Sequence, residues 1–376
     1  MDTKRKTRAI GNVVFGLSGL LSISSSVMVS LLRERYAFDY AFMGTLLAAF
    51  NIGTFVVGYA AGFLAAKLGL KTSSLLLAPG YLLGYILLAI FKAPALLLAG
   101  FFLIGAGRGM GTNTCNVMVG ENAEDKTKSL NLLHAFYAMG ALLSPVCAMV
   151  TLAISPSAPA FFLAILSIFP ILLLHISDLS NEKKKKEGSG EDFSFLKSKS
   201  FLLLTLLIFC QNAAETAVVG WVVTYYQDTG ILSGTIANYA ITVIWAATLV
   251  GRLFVAFVLP IKSPPKAMAV MGILTACSYL FLVNVHTGLL ALVALSLFAV
   301  SLAGVNPTAV SCAGKELNPL SLSIMLPTAS LGQILMPWVI GQAAEKISLP
   351  FGMVLVLIPC VILTVAALLF SRLSVE

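Results

Sequence analysis

Twelve apolar stretches alternate with short polar segments along the chain, each close to the roughly 20 residues that a helix needs to cross a bilayer. Their bounds read 9–31, 42–66, 72–92, 95–119, 130–153, 158–177, 200–226, 232–259, 265–284, 287–312, 321–344 and 349–371. Membrane-spanning strands would alternate over about 10 residues, whereas runs such as Phe201 to Phe209 and Val354 to Leu369 stay apolar throughout. Lipid offers backbone groups no water, so such runs can span only as helices. The pattern predicts an all-α polytopic membrane protein with twelve transmembrane helices. It changes character once, after Asn181, where Lys183, Lys184, Lys185 and Lys186 stand beside Gly and Ser. A solvated linker over 181–199 would then join a six-helix bundle over 1–180 to a second over 200–376.

Composition agrees with this class. With 59% hydrophobic and 11% charged residues, 376 residues lack the polar surface that a water-soluble globule needs. The basic residues also set an orientation. If both termini are cytoplasmic, inner loops and ends hold Lys4, Arg5, Lys6, Arg8, Lys67, Lys71, Lys126, Lys128, Lys183 to Lys186, Lys197, Lys199, Lys262, Lys266, Lys315 and Arg372. Outer loops hold only Arg33, Arg35, Lys92 and Lys346, and Arg108 and Arg252 complete the 24 inside helices. That asymmetry follows the positive-inside rule for a cell membrane, so the formal charge of +8 is a topology signal rather than a nucleic-acid footprint. The first stretch is too long for a signal-peptide core and is expected to remain as a helix.

Enzyme chemistry finds no support. The six cysteines show no CxxC spacing, and HExxH, DxxD-type and GxSxG motifs are absent. No disulfide, metal, cofactor or catalytic residue is expected. The expected partners are a small solute, a co-transported proton and lipid, with the chain acting as a monomer.

An internal repeat offset by about 192 residues is readable. Met139 to Pro145 (MGALLSP) matches Leu331 to Pro337 (LGQILMP), Gly58 falls near Gly251, and Thr112 falls on Gly304. Three matches at one offset point to duplication, giving two pseudo-symmetric bundles of six helices.

Several motifs carry a family resemblance: GFLAAKLGLK (Gly62 to Lys71), SLNLLHAFYAMGALLSP (Ser129 to Pro145), ETAVVGWVVTYY (Glu215 to Tyr226), NPTAVSCAGKE (Asn306 to Glu316) and GQILMPWVIGQAAEK (Gly332 to Lys346). The chain resembles the fucose permease-like branch of the major facilitator superfamily, which includes sugar:proton symporters. The resemblance implies alternating access by rocking of two halves and a pocket lined by helices 1, 4, 7 and 10. Two departures stand out. The acid usual in the first motif is replaced near Ala66, and Ser26 and Thr112 stand where the fucose symporter type carries carboxylates.

Within the spans, Glu215 is the one carboxyl near a midpoint, which makes it the proton-coupling candidate. Arg108, in GAGRGMG, grips an anionic group on the solute, pairs with an acid such as Glu215, or snorkels to the headgroups, which its depth of about 15 Å disfavours. Asn113, Asn116, Tyr137, Gln211, Asn212, Trp221, Trp245 and Asn306 add the amides and aromatic faces that bind sugars. His134 is placed nearer the cytoplasmic end, and Arg252, Lys315 and Glu316 read as gating or anchoring charges. The expected function is secondary transport of a small polar solute, a sugar or sugar derivative, with proton symport through Glu215. Efflux of amphipathic or anionic compounds is the alternative.

Overall fold

The computed structural model describes residues 3–124, 126–179, 194–257, 263–316 and 319–373. Among these, twelve helices are long and apolar enough to cross a membrane. They are α1 (Thr3–Tyr36), α2 (Tyr40–Ala65), α3 (Leu70–Ile90), α4 (Pro94–Glu121), α5 (Leu132–Leu152) and α6 (Ala158–His175). The second set is α7 (Lys199–Asp228), α8 (Ile236–Val255), α9 (Pro264–Asn284), α10 (Gly288–Val310), α11 (Ile324–Lys346) and α12 (Leu349–Leu373). No strand occurs among the described residues. Most of the expected linker, including Lys183 to Lys186, lies outside them, as does Lys262.

The bounds differ from the sequence expectation in two ways. First, α1 starts at Thr3 rather than residue 9. The basic arm contains no Gly or Pro, Lys and Arg favour helix, and Lys6 Nζ meets Asp178 Oδ2 at 3.1 Å. Second, five spans expected as single helices are broken, α8 among them at Tyr239. In α3 the helix stops at Leu77 and restarts at Gly80, around Pro79. In α6, α10 and α12 the interruptions fall at Ser167, Gly304 and Leu355 to Val356. There Pro170, Pro307 and Pro359 have no N–H for the carbonyls of Leu166, Ala303 and Leu355, four residues earlier.

The helices form two compact units, one comprising Met1–Asp39 and Thr45–Glu187, the other Tyr40–Gly44 and Gly188–Glu376. In the first, α1 packs most extensively on α5, and α3 on α4. In the second the leading pairs are α7 with α11, α9 with α12 and α8 with α10. The repeat read from the sequence is realised in these pairs. A Cβ on Gly140 of α5 would overlap the Gly16 carbonyl oxygen of α1, and one on Gly332 of α11 would overlap the Phe209 carbonyl oxygen of α7. Both helices also carry the matching proline, Pro145 and Pro337.

The first residues of α2 belong to the second unit through specific bonds. Tyr40 N donates to Glu345 Oε2 at 3.1 Å, its hydroxyl donates to Asp228 Oδ2, and its ring lies 6.3 Å from that of Trp221. At the other end of α2, Gly69 turns the chain at φ 86°, a left-handed value open to glycine. Lys71 then donates to the Ser177 carbonyl at 2.8 Å, satisfying a group at the end of α6.

Outward faces are apolar. Along α12, Val354, Ile358, Val361, Val365 and Leu369 are exposed in a stripe with helical spacing. A water-soluble helix would bury that stripe, so hydrocarbon is the surrounding these helices fit.

Candidate functional site

In the second unit, α7 and α10 bring together three of the polar residues singled out above. Gln211 and Glu215 are one helical turn apart on α7 and so share a face. Gln211 Nε2 donates to Glu215 Oε2, and Asn306 Nδ2 of α10 donates to Gln211 Oε1 at 3.2 Å. Gln211 is buried, whereas Glu215 and Asn306 are half-buried. The amide thus orients one carboxylate oxygen and leaves the other, Oε1, with acceptor capacity. The break at Gly304, two residues before Asn306, ends the regular ladder of α10 just where this side chain turns toward α7.

Glu215 also faces a small cavity within the same unit, lined by Val218, Thr248, Arg252, Phe298 and Leu302 among others. Arg252 was read from the sequence as a gating or anchoring charge, and its place on this wall was missed. The signal was available as helix arithmetic. Measured from the turn joining α7 to α8, Glu215 lies about 20 Å along one helix and Arg252 about 24 Å along the other, at 1.5 Å per residue. Arg252 makes no hydrogen bond or ion pair with any described residue.

In the first unit, Arg108 sits on α4 between glycines that let α4 approach α2. A Cβ on Gly105 would overlap the Phe50 carbonyl oxygen, and one on Gly109 would lie 2.5 Å from that of Thr54. This close approach sets the half-buried guanidinium over the Phe50 ring, with Cζ 5.6 Å from its centroid. Arg108 has no hydrogen bond or ion pair with any described residue. A cation over an aromatic face contributes about 0.5–2 kcal/mol. Placing Arg at the centre of a spanning helix costs about 2.5–3.5 kcal/mol on insertion scales. Phe50 alone does not offset that cost.

The remaining predicted residues fall into two groups. Asn212 donates to the Ala329 carbonyl at 3.2 Å, and fully buried Trp221 donates to that of Pro337 at 2.9 Å, so both tie α7 to α11. Asn116 bonds Thr112 O within α4 at 2.7 Å, and Asn113 reaches the Gly58 carbonyl at 3.5 Å. Tyr137 is buried with its ring 4.9 Å from Phe15, and exposed His134 stands edge-on to the same ring at 5.3 Å. Trp245 is buried on α8. Ser26 is buried on α1 and Thr112 half-buried on α4. The side chains of Lys315 and Glu316 lie outside the described ones.

Known proteins agree with this architecture. An uncharacterised transporter of the same type from Yersinia pestis is 23% identical over 368 residues, covering 94% of this chain and 93% of its own. Among solved structures, the nucleoside transporter NupG superposes with a TM-score of 0.77 at 17% identity, covering 98% of this chain and 100% of its own. A bacterial homolog of the human lysosomal transporter Spinster gives 0.78 at 12% identity, covering 99% and 98%. The Escherichia coli fucose:proton symporter FucP gives 0.66 at 18% identity, covering 96% and 98%. The Major Facilitator Superfamily model matches residues 10–321. With its twelve apolar helices and this match over most of its length, the chain belongs to the Major Facilitator Superfamily and is an integral, multi-pass membrane transporter.

Proposed function

We propose that the protein is a secondary transporter that moves a small polar solute, a sugar or sugar derivative, by alternating access, in symport with protons carried by Glu215. The bonded set Gln211, Glu215 and Asn306 carries this reading. Two amides and a carboxylate at mid-span depth match the hydrogen-bonding pattern of hydroxylated solutes. A carboxyl at that depth is neutral when protonated, which lowers the cost of changing its surroundings during the transport cycle. The likeness to transporters of fucose and nucleosides supports a polar, ring-containing solute. Both termini are assigned to the cytoplasmic side of the cell membrane, from the distribution of Lys and Arg.

Purified protein in proteoliposomes tests the transport reading. Counterflow of labelled sugars is expected in the wild type, and Glu215→Gln is expected to retain exchange while losing accumulation driven by a pH gradient. Unchanged pH-driven accumulation in Glu215→Gln rules out the proton role. For orientation, in a cysteine-free background an impermeant thiol reagent added outside should reach a cysteine at Asp228 and miss one at Asp178.

A further inference from the structure

The charges inside the spans do not balance. Two guanidiniums, Arg108 and Arg252, stand with one carboxylate, Glu215. Arginine stays protonated under all ordinary conditions, so each guanidinium needs a compensating anion wherever water is scarce. Arg252 shares its cavity wall with Glu215, within one compact unit and at similar depth. The two form no ion pair, but the carboxylate faces the cavity that the guanidinium lines. Among the described residues of the first unit, Arg108 rests on the Phe50 ring and makes no hydrogen bond or ion pair. Helix packing through Gly105 and Gly109 sets the backbone that carries it, and the side chain is half-buried.

We propose that Arg108 is the receptor for a negatively charged group on the solute, so that the transporter moves an anion: a polar skeleton bearing a carboxylate or a phosphate ester. The inference rests on the transporter reading above and narrows its substrate class. The guanidinium fork matches both oxyanions through two parallel N–H···O bonds, and its Cζ lies 5.6 Å from the centroid of the Phe50 ring.

Counterflow with three probes that share one ring tests this: galactose, galacturonate and galactose 6-phosphate. Exchange of at least one anionic probe, with galactose at least tenfold slower, is expected in the wild type, and this comparison needs no variant. The two anionic arms separate carboxylate from phosphate. Arg108→Gln is expected to reduce exchange of the anion at least tenfold, and Arg108→Lys, which keeps the charge without the fork, to retain a measurable part of it. Galactose exchange as fast as that of both anions, or anion exchange undiminished in folded Arg108→Gln, overturns the anion assignment while the transporter reading stands. Absence of exchange for all three probes alongside exchange of another neutral sugar overturns it likewise. Failure of every solute, neutral or anionic, overturns it together with the transporter reading.

Discussion

The two units share a frame and divide the chemistry. In each, a glycine on one helix lets it close onto the backbone of another, Gly140 on α1 in the first and Gly332 on α7 in the second. Around that shared frame the first unit is built from hydroxyls. Tyr81 Oη lies 2.6 Å from both Ser18 Oγ and Ser22 Oγ, and Ser24 Oγ lies 3.0 Å from Ser144 Oγ. All five side chains are buried, and the interior cation Arg108 lies over Phe50. The second unit has a buried hydroxyl cluster as well, Thr275, Ser278 and Ser301, and adds amides and a carboxylate, with Gln211 bonded to both Glu215 and Asn306. The glycines at which backbones approach closely thus recur at the repeat offset, while polar residues around them differ between the units.

The largest expected effect attacks the shared frame. Gly140→Val and Gly332→Val each drive a side chain into a partner backbone, which cannot rotate away as a flexible side chain can. Each is expected to destabilise the protein by about 3 kcal/mol or more, at the upper end of overpacking effects. Size-exclusion chromatography of the detergent-purified protein should show loss of the monodisperse peak in both variants. A well-folded Gly332→Val would mean that the second unit does not rely on the frame the first one uses.

The next effect separates the units. Gln211→Leu removes the group that bonds both Glu215 and Asn306, leaving a carboxylate oxygen and an amide short of a partner. About 1–3 kcal/mol is expected, read as roughly a tenfold or greater fall in transport. Tyr81→Phe in the first unit removes the hydroxyl shared by Ser18 and Ser22 and is expected to lower thermal stability by about 1 kcal/mol. Transport by Tyr81→Phe should remain near wild type. Equal transport losses in the two variants would break the division between a structural hydroxyl cluster and a functional amide and carboxylate cluster.

Smallest is Lys71→Ala, which deletes the bond to the Ser177 carbonyl at the end of α6. A change of about 0.5–1 kcal/mol is expected for a part-buried bond of this kind, measured as a slight shift in thermal unfolding.

The amino-acid order by itself determined the helical class, the number of spans and the internal repeat. Each is a one-dimensional signal: run length against bilayer thickness, or recurrence of Gly and Pro at a fixed offset. It also marked Arg108, Gln211, Glu215 and Asn306, because charged and amide side chains are rare at mid-span and need a reason to be there. What order could not supply was the pairing between helices. Trp221 and Asn212 looked as eligible for solute as Gln211, until the fold placed their donors on the carbonyls of Pro337 and Ala329. Arg252 looked like an anchor near a helix end, until α7 and α8 set it on the same wall as Glu215. A hydrogen bond or a counter-charge depends on distances of a few ångströms between residues far apart in the chain, and only the packed helices fix those distances.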